Sequence, residues 1–307
     1  MTLTELKYIV TLAQEQHFGK AAERCFVSQP TLSIAVKKLE EELGCVLFER
    51  SKSRVQTTSL GDEIVAQAQL VLSQTAVIKE MATAGKNHLS SSLNVGAIFT
   101  IGPFLFPHFI PELQRLAPEM PLYVEEGYTG TLRRRLRSGE LDAIIISLPF
   151  SEPDIVTLNL YDEPFVVVMD KKHPLAAKKA IKPDDLNDHD VLLLGEGHCF
   201  RDQILEACPN LKLSLEKTGK TKTAANGSSL DTLRHMVASG LGITILPLSA
   251  AMASSYSDSV LVMRPFVDPV PQRTVALAWR ASFPRHDAIE VLHQAINQCS
   301  IPNSGKR

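Results

Sequence analysis

Residues 28–44 read Ser28-Gln-Pro-Thr-Leu-Ser-Ile-Ala-Val-Lys-Lys-Leu-Glu-Glu-Glu-Leu-Gly44, and this stretch decides the fold of the N-terminal part of the chain. Ser28 is a favourable N-cap, Pro30 is tolerated in a first helical turn, and Gly44 can end a helix. Apolar residues recur at steps of four, three and four residues: Leu32, Val36, Leu39 and Leu43. The stretch predicts a helix over 29–43 with one buried face and a polar outer face.

The segments on either side complete a small module. Apolar spacing predicts a first helix near 3–13 and a short second helix over 19–25, followed by the apolar corner Phe26-Val27. Helix 29–43 would then be the recognition helix of a helix-turn-helix. Residues 46–50 and 54–57 predict a hairpin wing whose tip carries cations suited to phosphate contact. The alternative is a three-helix bundle with a charged turn and no role at DNA.

Three strings occur in a characteristic order and spacing: Ala21-Ala-Glu-Arg24, Ser28-Gln-Pro-Thr-Leu-Ser33 and Lys37-Lys-Leu-Glu-Glu-Glu-Leu-Gly44. In these strings the chain resembles the winged helix-turn-helix of LysR-type transcriptional regulators. The resemblance implies double-stranded operator DNA as a partner and polar side chains in the major groove. The residues predicted to face DNA, including the wing cations, are Gln29, Pro30, Thr31, Ser33, Lys37, Lys38, Arg50, Lys52 and Arg54.

Composition limits the class of protein. The chain has 307 residues, a net charge of −2 and 44% hydrophobic residues, which favours about two domains. Charges at Glu5, Lys7 and Glu15 interrupt the N-terminus, and no apolar run reaches a membrane span of roughly 18 residues. We therefore expect a cytoplasmic protein without a membrane partner. The odd number of cysteines disfavours a secreted disulfide framework; Cys25 and Cys45 are interpreted as structural, and Cys299 is given no role.

A long helix is predicted to follow the wing, from about 60 to 84, capped by Thr58 or Ser59. Its apolar and glutamine positions alternate steps of four and three: Leu60, Ile64, Gln67, Val71, Gln74, Ile78 and Met81. This heptad spacing predicts a seam between two copies of the helix, and hence a dimer. Residues 85–92 then predict a hinge. The domain boundaries expected are 1–58, 59–92 and 93–307.

From residue 93 the pattern alternates strands and helices, which favours an α/β domain with mainly parallel strands. The predicted strands span 93–98, 122–125, 141–147, 165–169, 191–194, 243–246, 260–263 and 274–279. The predicted helices span 103–116, 131–138, 200–207, 230–239 and 288–298. Ligands bind beyond the carboxyl ends of such strands, where Thr100 and Thr129 fall and where Ser147 is a weaker candidate.

Within that half, residues 195–208 read Gly195-Glu-Gly-His-Cys-Phe-Arg-Asp-Gln-Ile-Leu-Glu-Ala-Cys208. Nine helical residues would separate Cys199 from Cys208 by roughly 13 Å and put them on opposite faces. A disulfide needs Cα atoms within about 7 Å, so the two sulfurs can bond only if the segment unwinds. Cys199 lies at the expected helix start beside His198, a setting that lowers a thiol pKa. The segment predicts a two-state element.

Two other interpretations of this segment stay open on spacing alone. The cysteines can be two unrelated buried thiols, since free cysteine is among the most buried residue types. A metal site made of His189, His198, Cys199 and Cys208 is the least favoured, because the short ligand pairs usual for zinc are missing. We expect neither a metal nor a cofactor.

The string Gly197-His-Cys-Phe-Arg-Asp-Gln203, followed by Cys208, resembles the redox segment of peroxide-sensing LysR-type regulators. The resemblance extends over the whole second half. It implies an α/β effector domain with two subdomains similar to periplasmic binding proteins, the inner one at about 163–267. It also implies a peroxide site near Cys199; the residues carried over to that site are Thr100, Thr129, His198, Asp202 and Arg264.

Three functions follow from these patterns. The favoured one is a DNA-binding activator of antioxidant genes that senses hydrogen peroxide through a reversible Cys199–Cys208 disulfide. It would act as a dimer or tetramer with RNA polymerase as a partner. The second is a LysR-type regulator of a small-molecule inducer bound in the cleft between subdomains. The third, a thiol peroxidase, fits poorly with a helix-turn-helix, so we expect no enzyme.

Overall fold

The computed structural model describes residues 1–50, 55–84, 89–211, 229–253, 259–300 and 305–306. The chain divides into two units, one built on Met1–Lys86 and the other on Asn87–Leu136 and Leu141–Arg307. Among the described residues, no helix combines the length and the apolar character needed to span a membrane.

The N-terminal unit is a winged helix-turn-helix followed by a long helix. Its elements are α1 (Leu3–Glu15), α2 (Phe18–Arg24), α3 (Gln29–Leu43), β1 (Phe48–Arg50), β2 (Val55–Thr57) and α4 (Ser59–Ala84). Helix α3 begins and ends as predicted: the Ser28 hydroxyl accepts a bond from Thr31 N at 3.3 Å, and Gly44 forms the C-cap. Of the predicted seam, Leu32, Val36 and Leu39 are fully buried, whereas Leu43 is 38% exposed.

The wing is an antiparallel pair in which Phe48 lies opposite Thr57 and Arg50 opposite Val55. Its base is fixed by Thr58, whose hydroxyl donates to the carbonyl of Val46 and accepts from the amide of Gly61. Of the two N-caps predicted for the long helix α4, Thr58 and Ser59, the structure shows Thr58. The tip, with Lys52 and Arg54, and the side chain of Arg50 lie outside the described residues.

The first half of helix α4 packs on the apolar core of the helix-turn-helix. Ala68 is buried there, and Ile64, which the sequence places in a dimer seam, is partly buried against the same core. Five other seam residues are exposed in the single chain: Leu60, Gln67, Val71, Gln74 and Ile78. The dimer stays a prediction. The exposed apolar side chains on α4 are the kind of surface that such a dimer would bury. The predicted hinge lies partly outside the description, because residues 85–88 are not covered.

The second unit confirms the predicted α/β class. Its strands are β3 (Leu93–Ile98), β4 (Leu122–Gly127), β5 (Ala143–Ser147), β6 (Ile155–Asp170), β7 (Val191–Leu192), β8 (Ile243–Pro247), β9 (Leu261–Pro265), β10 (Gln272–Arg280) and β11 (Gly305–Lys306). Its α-helices are α5 (Gly102–Leu116), α6 (Thr129–Arg137), α7 (Cys199–Ala207), α8 (Leu230–Ala238), α9 (Leu248–Met252) and α10 (His286–Gln298). Short 3₁₀ turns lie at Pro174–Ala177 and Pro183–Leu186.

The sheet is mixed, so the expectation of mainly parallel strands was wrong. Strand order is β4-β3-β5-β10-β6-β8-β7, with β9 and β11 also paired to β6. Strand β3 is parallel to β4 and β5, and β7 is parallel to β8, but β10 runs antiparallel to both β5 and β6. The first part of β6 pairs with β10 and its last part with β8 and β9. One sixteen-residue strand thus joins two halves of the unit.

Each half has its own apolar core. The outer core contains β3, β5 and β10 residues such as Val95, Ile145 and Leu277, together with helices α5 and α10. The inner core draws on residues between Phe165 and Phe266, with Phe104 added from α5. The inner subdomain at about 163–267 stays a prediction, and all buried residues of the inner core except Phe104 fall within these bounds.

Gly242 decides whether β7 and β8 can pair just before the cysteine segment. Its φ is +145°, and a Cβ there would lie 2.2 Å from the carbonyl oxygen of Asp190. Gly240 is also left-handed, at φ +79°, but a Cβ there would meet nothing within 4 Å. Both glycines have a positive φ, but only at Gly242 would a Cβ also meet backbone atoms.

We expect Gly242→Ala to destabilise the chain by about 1–3 kcal/mol more than Gly240→Ala, because only the first adds a clash with backbone. Urea unfolding of both variants measures the difference. Equal losses of unfolding free energy would contradict the role given to the close approach at Asp190.

Candidate functional site

Helix α7, which we call the redox helix (Cys199–Ala207), begins at Cys199 as predicted, with His198 as its N-cap and Gly197 at φ +92°. Cys208 is its C-cap, so the two cysteines stand at opposite ends. Both thiols are free. A helix of this length holds their Cα atoms roughly 13 Å apart, well beyond disulfide reach.

The redox helix divides its faces between the two cores. Phe200, Ile204 and Cys208 follow one another at four-residue steps and belong to the inner core. Cys199 packs against the outer core instead. One turn on, Gln203 donates its amide to the Ser147 hydroxyl at 2.8 Å and to the Leu148 carbonyl at 2.9 Å. Both acceptors of these hydrogen bonds belong to the outer half, against which Cys199 also packs.

A small cavity of about 10 Å³ lies at the N-terminal end of the redox helix. Its lining comes from three loops that follow strands: Ile98, Phe99, Thr100, Gly127, Tyr128, Thr129, Gly197, His198 and Cys199. A volume of this size holds about one molecule as small as water. The structure thus brings Thr100, Thr129, His198 and Cys199 together around one minimal space.

The side chain of His198 lines this cavity with a neutral imidazole. Its side chain is only 8% exposed, and burial lowers the pKa of the imidazole. The ring lies 4.9 Å from that of Tyr128 and 6.0 Å from that of Phe99, centroid to centroid. At neutral pH the ring can therefore donate or accept a hydrogen bond, but it is not the fixed cation that the sequence reasoning considered.

Thr100 is held by a buried ion pair. The guanidinium of Arg273 donates to the Thr100 hydroxyl at 2.9 Å and to its carbonyl at 2.8 Å. Arg273 also contacts a Glu163 carboxylate oxygen at 2.7 and 2.8 Å and lies 5.4 Å from the Phe200 ring centre. Because the Thr100 oxygen accepts from Arg273, its own hydrogen can point to a molecule in the cavity.

Helix N-termini converge on the same space. Cys199 and Thr129 are the first residues of α7 and α6, and Thr100 lies two residues before α5. The N-terminal end of a helix carries about half a positive charge and points unpaired amides outward. The arrangement favours an anion, such as a thiolate or a departing hydroxide, and the described residues that line the cavity include no lysine or arginine.

Two predicted site residues lie elsewhere. Asp202 is exposed on the redox helix and is not among the cavity-lining residues. Arg264 lies on β9 and donates to the carbonyls of Ala176 and Lys178, so its role is to hold the 3₁₀ turn there. The arginine beside Thr100 is Arg273 on β10, which sequence reasoning missed. Its partner Glu163 is 110 positions away, so no local motif marks the pair.

Cys208 is set up differently from Cys199. It is 2% exposed, and burial raises the pKa of its thiol to about 11, with a further contribution from Asp184. A thiol in this state neither attacks nor ligates readily. The metal alternative also fails on geometry, because the redox helix separates Cys208 from Cys199 and the His189 ring packs against that of His173. Among the described residues no cluster of three or more metal-ligating side chains occurs.

The predicted DNA-facing residues are mostly on the surface of α3. Gln29, Pro30 and Thr31 are exposed, and Ser33 is half-buried. Thr31 shares a hydrogen bond of 2.7 Å with Ser28. Lys37 and Lys38 both have side chains 70% exposed; Lys37 lies 3.7 Å from Glu41 and Lys38 3.6 Å from Glu5.

A larger cavity of about 640 Å³ lies beside the C-terminal half of the redox helix. Its walls are mainly apolar, with Leu148, Pro149, Phe150 and Phe165, and it includes Gln203 and Glu206 of the redox helix. This space is of the size that small organic ligands occupy.

Both units of the chain match models of the same protein family. Residues 3–62 match the bacterial regulatory helix-turn-helix protein, lysR family, and residues 86–299 match the LysR substrate binding domain. The chain is 38% identical to the DNA-binding transcriptional dual regulator OxyR of Escherichia coli K12 over 296 residues, or 96% of this chain and 95% of that protein.

Two solved structures are also similar. A full-length OxyR variant from Pseudomonas aeruginosa is 61% identical, with a TM-score of 0.76 and coverage of 98% of this chain and 96% of that one. A cysteine variant of Corynebacterium glutamicum OxyR, described as H₂O₂-bound, is 32% identical, with a TM-score of 0.62 and coverage of 97% and 92%. The chain belongs to the LysR family of DNA-binding transcription regulators.

Proposed function

We propose that this LysR-family regulator senses hydrogen peroxide at Cys199 and signals by forming a Cys199–Cys208 disulfide. The observation that carries the proposal is the minimal cavity at Cys199, about 10 Å³, with the hydroxyls of Thr100 and Thr129 on its wall. A space this small excludes an organic inducer at this point, whereas peroxide, with only two heavy atoms, needs no more than a small displacement of the walls to place one oxygen beside Cys199. A similar protein described as H₂O₂-bound adds support.

In the first step the Cys199 thiolate attacks one peroxide oxygen. The S–O bond forms as the O–O bond breaks, and the departing hydroxide takes up a proton to become water. The product is a sulfenic acid, and the peroxide has accepted two electrons from sulfur. The Thr100 hydroxyl and the helix N-termini at Cys199 and Thr129 stabilise the negative charge that moves to the leaving oxygen.

In the second step the Cys208 sulfur attacks the Cys199 sulfenic acid. The S–S bond forms, the S–O bond breaks and the oxygen leaves as water. Since a helical segment keeps the sulfurs roughly 13 Å apart, this step requires the redox helix to unwind. Unwinding takes Phe200 and Ile204 out of the inner core, and exposing each costs about 1.5–3 kcal/mol.

The change of fold is then the signal. We propose that it alters the geometry of a dimer, or of a tetramer, on operator DNA and so the contact with RNA polymerase in the cytoplasm. One peroxide is consumed for each oxidised site, and a separate reductant must restore the thiols. The protein thus reacts once per signal and is not proposed to be an enzyme.

A second candidate rests on the larger cavity of about 640 Å³ beside Gln203. A small organic inducer bound there would touch the redox helix and could shift the same equilibrium. This candidate makes the cysteines dispensable, so induction would survive Cys199→Ser.

The proposal is tested by titrating the reduced full-length protein with low-micromolar peroxide and mapping its disulfides by mass spectrometry. We expect a Cys199–Cys208 bridge in the wild type and a trapped sulfenic acid on Cys199 in Cys208→Ser, because the attacking thiol is then missing. Cys299→Ser is a matched control, since Cys299 is equally buried. Peroxide that leaves Cys199 reduced would rule the proposal out.

The raised pKa of Cys208 gives a second prediction. With the thiol pKa at about 11, against an ordinary value of 9.0, the thiolate fraction at pH 8 falls about a hundredfold. We expect iodoacetamide to label Cys208 at least about a hundredfold more slowly in the folded reduced chain than in urea. The unfolded chain loses this proton first, so folded stability should decline as pH rises from about 9 to 11. Comparable labelling rates would show that Cys208 is already accessible.

Gln203 gives a third prediction, because it fastens the redox helix to the outer half. Gln203→Ala removes two hydrogen bonds, each worth about 1 kcal/mol net, and should speed sulfenic acid conversion to disulfide by about tenfold or more. Formation of the sulfenic acid should change little. Glu206→Ala, exposed on the same helix, is the matched control. Rapid quenching with mass spectrometry follows both steps; an unchanged or slower second step in Gln203→Ala would exclude the fastening role.

A further inference from the structure

Helix α3 carries an exposed isoleucine that neither its own core nor the predicted DNA contacts account for. Ile34 is 69% exposed. It lies two residues, or about 200°, from both Leu32 and Val36, which are fully buried. Ile34 therefore occupies the middle of the outward face of the recognition helix.

The neighbours of Ile34 on that face belong to the DNA-reading surface. Pro30 lies one turn before it and Lys37 nearly one turn after, and both are exposed. In a helix-turn-helix the N-terminal half of the recognition helix enters the major groove. Ile34, in the second turn, is thus continuous with the surface that meets base edges.

We propose that Ile34 packs against the C5-methyl group of a thymine in the major groove and helps to set the operator sequence. Among the four bases, only thymine presents an apolar group there. An isoleucine has no donor or acceptor, so it gains nothing from the other base edges and leaves their polar atoms without a partner. The side chain therefore discriminates in favour of thymine.

The test uses duplexes that the full-length protein selects from a random pool, with single thymines then replaced by deoxyuridine. That replacement removes one methyl group and nothing else. Affinity is measured for the wild type and for Ile34→Ala on each duplex. Alanine favours helix more than isoleucine does, and the site is exposed, so the variant should fold.

At one thymine in each half-site, we expect methyl removal to weaken wild-type binding about fourfold and to leave Ile34→Ala unaffected, as burial of one methyl group implies. Ile34→Ala should bind the unmodified duplex several-fold more weakly with the same salt dependence, because no phosphate contact is lost. Its own selected sequences should tolerate any base at that position.

Val46→Ala is the matched control: Val46 is 62% exposed in the same module but lies outside α3. It should keep the wild-type response to deoxyuridine. Equal sensitivity of wild type and Ile34→Ala at every thymine would overturn the proposal. Unchanged DNA affinity of Ile34→Ala would also overturn it. If Ile34→Ala bound DNA normally but no longer activated transcription, Ile34 would instead contact a protein partner.

Discussion

Backbone hydrogen bonding across nine residues keeps Cys199 and Cys208 apart, and the rest of the sensing unit depends on that separation. The helix is not stable by itself, since isolated helices this short are marginal in water. It persists because Phe200 and Ile204 are buried in the inner core and Gln203 is bound to the outer half. Together these contacts are worth roughly 5–8 kcal/mol, which the formation of the disulfide has to offset.

Among the described residues that line the cavity at Cys199 there is no lysine or arginine. Arg273 is the nearest guanidinium to Thr100 among the contacts described, and Glu163 compensates it in the interior. Burial keeps His198 neutral. Stabilisation of an anion at Cys199 thus falls to amides at helix N-termini and to hydroxyl groups, which are fixed by the fold and need no proton transfer to become effective.

The sequence anticipated what depends on local pattern. The bounds of α3, the start of the redox helix at Cys199 and the convergence of Thr100 with Thr129 all follow from caps, periodicity and strand ends. Prediction from the sequence failed where the position of a side chain depends on residues far away in the chain. Arg264 matched a motif but holds a 3₁₀ turn, and Arg273 gave no local signal because its partners Glu163 and Thr100 come from far along the chain. Mixed strand direction was missed for the same reason.

The two cysteines of the redox helix differ in their surroundings. Cys208 is buried with a thiol pKa of about 11, whereas Cys199 is only partly buried. In the proposed mechanism Cys208 becomes reactive when the redox helix unwinds and is buried again when the helix reforms. Each cycle of oxidation and reduction would therefore include unfolding and refolding of a packed segment, which couples the state of the two sulfurs to the fold around them.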